Sequence, residues 1–165
     1  MEIGVLGFSG SKNIGDYIQT KAVIDILNTQ NIKILDREKL NNYKGNRIKT
    51  IVNGWFMESP ENWPPSNNIY PLFISFHINP SVKDTFTNQD SINYFKKYEP
   101  IGCRDYYTRD LLLEHGINAY FSSCVTLGIK RKNYRKKQSD GVIVIGAFDR
   151  LKPFLDYKSS IKFLL

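Results

Sequence analysis

Cysteine is scarce in this 165-residue chain, and so are several other features that would have fixed a function class. Cys103 and Cys124 make no disulfide framework, and their spacing fits no zinc motif. Both read as small buried thiols, because a nucleophilic role would need an activating base or cation and only Arg104 adjoins Cys103. No apolar run approaches the ~20 residues of a membrane-spanning helix. The opening MEIGVLGFSG, with its acidic second residue and immediate strand pattern, is not that of a signal peptide, so a cytoplasmic location is expected. The dinucleotide fingerprint GxGxxG is missing, and no internal repeat is visible.

Aromatic residues, by contrast, make up 13% of the chain and hydrophobic residues 41%, a composition for one packed domain of ordinary size. The net charge of +7 suggests nucleic acid until its distribution is read. Lys130, Arg131, Lys132, Arg135, Lys136 and Lys137 lie together, and the remainder is close to neutral, so no nucleic-acid-binding face is expected. Such a run is either a solvated linker or a patch for anionic lipid headgroups or a pyrophosphate-bearing lipid substrate.

The pattern predicts strands at 3–8, 32–35, 49–53, 72–78, 101–103 and 119–121, with helices at 16–28, 89–98 and 108–115. Ile18, Ala22 and Ile26, with Val23 and Leu27, form the apolar stripe of the first helix. Gly116 stands where a helix C-terminal cap is expected. Residues 54–71, with Pro60, Pro64 and Pro65, read as a loop without regular structure. LFISFHI, Leu72 to Ile78, reads as a strand buried on both faces. The fold class is therefore α/β, a Rossmann-like, mainly parallel sheet with helices on both faces. Its division is residues 1–129 as that domain, 130–140 as a basic linker, and 141–165 as the start of a second domain or an added strand. The new strand begins with GVIVI at Gly141.

Chemistry is expected where strands end and helices begin. Gly10 to Gly15 has the glycine spacing of a phosphate-binding loop, but Asp16 and Tyr17 replace its lysine and hydroxyl, which excludes nucleoside triphosphate. Asp16 either caps the helix or accepts hydrogen bonds from a sugar, and the two are compatible. Asn53, Gly54 and Trp55 offer an amide, a turn and an indole, suited either to carbohydrate or to core packing. His77 is either a general base or a satisfied structural histidine. Asp105 reads as an N-cap, and Arg104 either forms an ion pair or holds a carboxylate or phosphate through its planar fork.

NIGDYIQTKA at Asn13 to Ala22, VNGW at Val52 to Trp55, PLFISFHI at Pro71 to Ile78, IGCRDYYTRDLL at Ile101 to Leu112 and FSSCVTL at Phe121 to Leu127 occur in this order. Together they resemble the polysaccharide pyruvyl transferase family, from the N-terminus to about Gly146. The resemblance implies the N-terminal half of a B-type glycosyltransferase fold. It also implies transfer of a pyruvyl group from phosphoenolpyruvate to sugar hydroxyls as a cyclic ketal, with the donor as substrate and no cofactor. Asp16 and His77 become the catalytic candidates. Asn13, Gly15, Asn53, Arg104 and Asp105 become the substrate-binding candidates, with Arg104 on the phosphoenolpyruvate anion and Asp16 sharing its pocket. The family's other anion-binding arginine and its catalytic histidine are implied in the C-terminal half, which His77 and His115 precede. The implied partners are a sugar or lipid-linked glycan and, through Lys130 to Lys137, an anionic membrane surface. A half-cleft exposing apolar surface would also favour pairing of two copies. A non-catalytic glycan-binding module and a glycosyltransferase-like enzyme on the same fold are the alternatives.

Overall fold

The computed structural model describes residues 2–130 and the backbone of two further strands, Ile143–Ile145 and Lys162–Leu164. The chain divides into two compact units, Met1–Ile129 and Lys130–Leu165. In the first unit the elements are β1 (Ile3–Gly7), α1 (Ile14–Leu27), β2 (Ile32–Asp36), β3 (Ile48–Phe56), β4 (Ile69–Ile78), α2 (Lys83–Thr87), α3 (Gln89–Tyr98), β5 (Ile101–Cys103), α4 (Tyr106–Glu114) and β6 (Ala119–Phe121). The second unit contributes β7 (Ile143–Ile145) and β8 (Lys162–Leu164), paired in parallel. The basic run from Arg131 to Lys137, with the membrane contact expected of it, lies outside the described residues.

All six strands of the first unit run parallel in the order β2-β1-β3-β4-β5-β6. The chain steps one way from β1 to β2 and the other way from β3 onward. Right-handed crossovers therefore put α1 on one face and α3 and α4 on the other. The reversal falls between β1 and β3, and it opens a crevice at the carboxyl ends of those strands.

The larger core lies on the α3 side. Trp63 is at its centre, with Phe56, Phe73, Phe76, Phe86, Tyr94 and Phe95 around it at ring separations of 4.8–6.5 Å. The Trp63 indole N–H donates to Ser91 Oγ at 3.1 Å, so the polar edge of this ring is also satisfied.

Four expectations need correction. Helix α1 begins at Ile14 rather than Asp16, because Asn13 is the cap: its Oδ1 accepts from the Gly15 N–H at 2.9 Å. Ile18 and Ile26 of the predicted stripe are exposed, and the buried face of α1 is Asp16, Gln19, Ala22 and Val23, polar at its N-terminal end. Residues 54–71 are not loop throughout, since β3 continues to Phe56 and β4 starts at Ile69. Pro71 pairs in register with Thr50 of β3, but β5 pairs with β4 only at Phe76, so the other side of β4 has no ladder at Pro71 to interrupt. Finally, β4 is not buried on both faces: Leu72 is 54% exposed, on the face where α1 covers β1 and β3 but not the start of β4. Gly116 does end α4 as expected, at φ +69 with its N–H on Leu113 O.

Candidate functional site

A recess of about 410 Å³ opens at the crevice between β1 and β3. Its walls are Ser11, Lys12, Asn13, Asp16, Gln19, Trp55, Glu58 and Arg104. The loop after β1, the first turns of α1, the end of β3 and the residue after β5 thus converge on one rim, and Asp16 and Arg104 share it. The volume is that of a small-molecule site.

Each wall has a local cause. With Asn13 capping the helix, the Asp16 carboxylate is free to accept from Ser11 Oγ at 2.6 Å, and it is held there 6% exposed. The Ser11 carbonyl also accepts from Tyr17 Oη at 2.8 Å, which ties the loop to the helix. The Trp55 carbonyl accepts from Arg37 Nη1 at 2.9 Å, and the Arg37 guanidinium, itself buried, lies over the Phe8 and Trp55 rings. Glu38 accepts from the backbone N–H groups of Glu58 and Ser59 at 3.1 and 2.7 Å, fixing the turn that carries Glu58. The Arg104 N–H donates to Phe76 O at 2.8 Å, anchoring that residue to β4. Its guanidinium forms no ion pair among the described residues.

The other candidates lie nearby but not on these walls. Asn53 is 1% exposed beneath α1, and its amide has no partner among the described residues, nor does Gln19 Oε1. Gly15 gives its N–H to the Asn13 cap. His77 Nδ1 pairs with Asp105 Oδ2, and Asp105 also caps α4 by accepting from the Thr108 N–H at 2.8 Å. The Thr108 hydroxyl donates to Asp105 at 3.2 Å and accepts from the Ile78 N–H at 3.1 Å, so the end of β4 and the start of α4 are joined. Burial pushes the Asp105 carboxyl up, but the Thr108 N–H, the His77 ring and the Thr108 hydroxyl outweigh it and hold the carboxyl below its ordinary range. An ionised Asp105 favours the tautomer with hydrogen on Nδ1, leaving Nε2 as the basic nitrogen. His77 is the register partner of Trp55, one strand spacing away on the same sheet face.

Burial, then the nearby Asp105 charge, push the Cys103 thiol up to about 12, so it is no nucleophile at neutral pH. Ser11, Lys12, Gln19 and Glu58 are site residues that the sequence reading missed. Gln19 had a signal, since it lies three residues beyond Asp16 on the same helical face.

No helix among the described residues is long and apolar enough to cross a membrane. Neither the curated proteins nor the solved structures contain a match to this chain. The family model described as polysaccharide pyruvyl transferase, however, matches residues 13–164, from the cap of α1 through β8. With nearly the whole chain inside that match, the protein belongs to the polysaccharide pyruvyl transferase family.

Proposed function

We propose that the recess between β1 and β3 binds the reacting ends of phosphoenolpyruvate and a sugar, and that this chain takes part in pyruvyl transfer to a glycan or its lipid-linked precursor. The observation that carries this reading is Arg104: an arginine without an ion pair among the described residues, in the same recess as a buried carboxylate. Arg104 and Lys12 are the cations for the donor's carboxylate and phosphate. Asp16, oriented by Ser11, accepts the proton of the attacking sugar hydroxyl. Asn13 and Glu58 face the acceptor.

The reaction adds two sugar hydroxyls to the enol carbon of phosphoenolpyruvate and releases phosphate. One hydroxyl proton ends on the methylene carbon, making the methyl group, and the other leaves with the phosphate. For two proton transfers we assign two groups, and His77 is the second, its ring set by Asp105 and lying beside the wall residue Trp55 in register.

Calorimetric titration of phosphoenolpyruvate into the full chain tests the reading. Charge-assisted hydrogen bonds of about 1.5–3 kcal/mol correspond to a loss of roughly 10- to 150-fold in affinity for Arg104→Ala. Arg104→Lys should fall between, since it keeps the charge and loses the fork. A wild-type chain that does not bind phosphoenolpyruvate, or an Arg104→Ala variant that binds it equally well, refutes the assignment.

A further inference from the structure

A second recess, of about 430 Å³, lies on the other side of α1, at the carboxyl ends of β1 and β2. Two of its walls are large apolar side chains that nothing in the fold requires outside: Tyr17, 49% exposed, and Ile34, 54% exposed. Its polar groups are few, Asp36, Ser9 and Thr20. The Thr20 hydroxyl is already committed to Leu6 O at 2.7 Å, whereas Ser9 has no hydrogen bond among the described residues. Asp36 uses Oδ1 to accept from the Glu38 N–H at 3.1 Å. Its Oδ2 is 3.8 Å from the exposed Lys39 ammonium and accepts no hydrogen bond among the described residues. The Tyr17 ring is held in place by its own hydroxyl, which donates to Ser11 O. A fixed ring beside an apolar wall, with one carboxylate oxygen that pairs only with an exposed lysine and accepts no hydrogen bond among the described residues, suits a ligand with an apolar face and neighbouring hydroxyls.

Position narrows the ligand further. In dinucleotide-binding doubly wound sheets an acidic residue past the first crossover accepts from a ribose hydroxyl, so a carboxylate at the end of β2 is placed to accept from a sugar. The ribose of a nucleotide would need a pyrophosphate cradle beside it, and here the buried Asp16 carboxylate stands in the first turn of α1 instead. Ser11 links the two recesses, donating through Oγ to Asp16 in the first and accepting through its carbonyl from Tyr17 in the second.

We infer that the Tyr17–Ile34–Asp36 recess is a second sugar subsite, which takes a pyranose ring next to the one that reacts: Asp36 Oδ2 accepts from its vicinal diol and Tyr17 stacks on its face. This rests on the reading of the first recess as the reacting site, and it makes the enzyme a reader of at least two sugar units.

The test uses the full chain and ligand-observed saturation-transfer NMR. The probes are methyl glycosides of glucose, galactose, mannose and N-acetylglucosamine, their β-linked disaccharides, and AMP. At least one disaccharide should bind about tenfold more tightly than its monosaccharide, the gain of one charge-assisted hydrogen bond with a packed ring. Asp36→Asn keeps the turn, because asparagine caps the Glu38 N–H about as well as aspartate does. It should remove most of that gain while binding phosphoenolpyruvate as the wild type does, and Tyr17→Ala should remove most of the gain as well. The subsite is overturned if no sugar binds the wild type, or if neither variant changes the disaccharide-to-monosaccharide ratio. It is equally overturned if Asp36→Asn weakens only AMP, which would make the diol that of a ribose. A disaccharide gain lost in Asp36→Asn, in a chain that does not bind phosphoenolpyruvate, upholds the subsite and removes the donor reading alone.

Discussion

Replacing Asp105 with alanine and with asparagine separates its helix cap from its hold on His77. Three interactions go at once. Loss of the N-cap to the Thr108 N–H costs about 1 kcal/mol. The Thr108 hydroxyl, in a fully buried residue, loses its acceptor at a cost of about 1–2 kcal/mol. The His77 pair adds only a few tenths, roughly, because the Asp105 side chain is 31% exposed and water screens it. The sum is about 2–3 kcal/mol, or roughly 5–10 °C in Tm for a unit of this size. Asp105→Asn keeps the cap and should cost about 1 kcal/mol. Its amide, donating to His77 Nδ1, should drive the ring hydrogen to Nε2, which ring nitrogen shifts in NMR report directly. The pH dependence has a definite sign. Because the folded carboxyl titrates below its ordinary value, its stabilisation is fully present above about pH 4 and is lost as pH falls through the folded value. The difference in stability between wild type and Asp105→Asn should therefore shrink in acid. If Asp105→Ala stays within 0.5 kcal/mol of wild type, or the His77 tautomer does not respond to Asp105→Asn, the proposed coupling is refuted.

Two further substitutions test the frame around the site. Gly54→Ala should cost about 1–3 kcal/mol in urea unfolding, because Gly54 sits at φ +89 and a Cβ there would meet Gln19 Oε1 at 3.1 Å and Phe8 at 3.3 Å. A neutral result would mean that α1 and β3 are not held as described. Trp63→Ala should cost about 3–5 kcal/mol, and Trp63→Phe, which keeps a ring and loses the bond to Ser91, roughly half of that. Equal losses in the two variants would show that ring packing is not what that core depends on.

Much of the sheet was legible because its strands are short apolar runs between turn residues, and the match of Asn13, Asp16 and Arg104 to strand ends followed from that order. The boundaries were less so. Asn13 and Asp16 are both good caps, and only the chain's path decides that the amide caps and the carboxylate is left for Ser11. The polar buried face of α1 was hidden because Ile18 and Ile26 supply a convincing apolar stripe that the fold leaves outside. Lys12 and Glu58 carried no pattern at all. They reach the recess through loop geometry, Glu58 by way of the Glu38 contacts from twenty residues earlier.

The most misleading stretch, Leu72 to Ile78, is also the most instructive. Its apolar run reads as doubly buried because alternation fails inside it, and alternation fails because β4 bulges. Val52 pairs with Phe73 but Gly54 pairs with Phe76, so Ile74 and Ser75 stand opposite Asn53 alone. Without the extra residue, His77 would point into the aromatic core and Phe76 toward the rim. With it, Phe76 and Ile78 are fully buried and His77 comes out beside Trp55 on the recess face. The bulge needs Ser75 at φ +57, a left-handed conformation that costs a non-glycine residue about 1 kcal/mol or more. Ser122 and Ser123 after β6 hold it: the Ser75 N–H donates to Ser122 Oγ at 2.9 Å, and Ser75 Oγ donates to Ser123 O at 2.7 Å. Ser123 is itself at φ +61. Two strained serines from distant parts of the chain thus sustain one irregularity, and its effect is to turn a histidine from the core to the rim. Strain placed where it re-aims a titratable side chain toward Trp55, which does line the recess, supports the role proposed for His77.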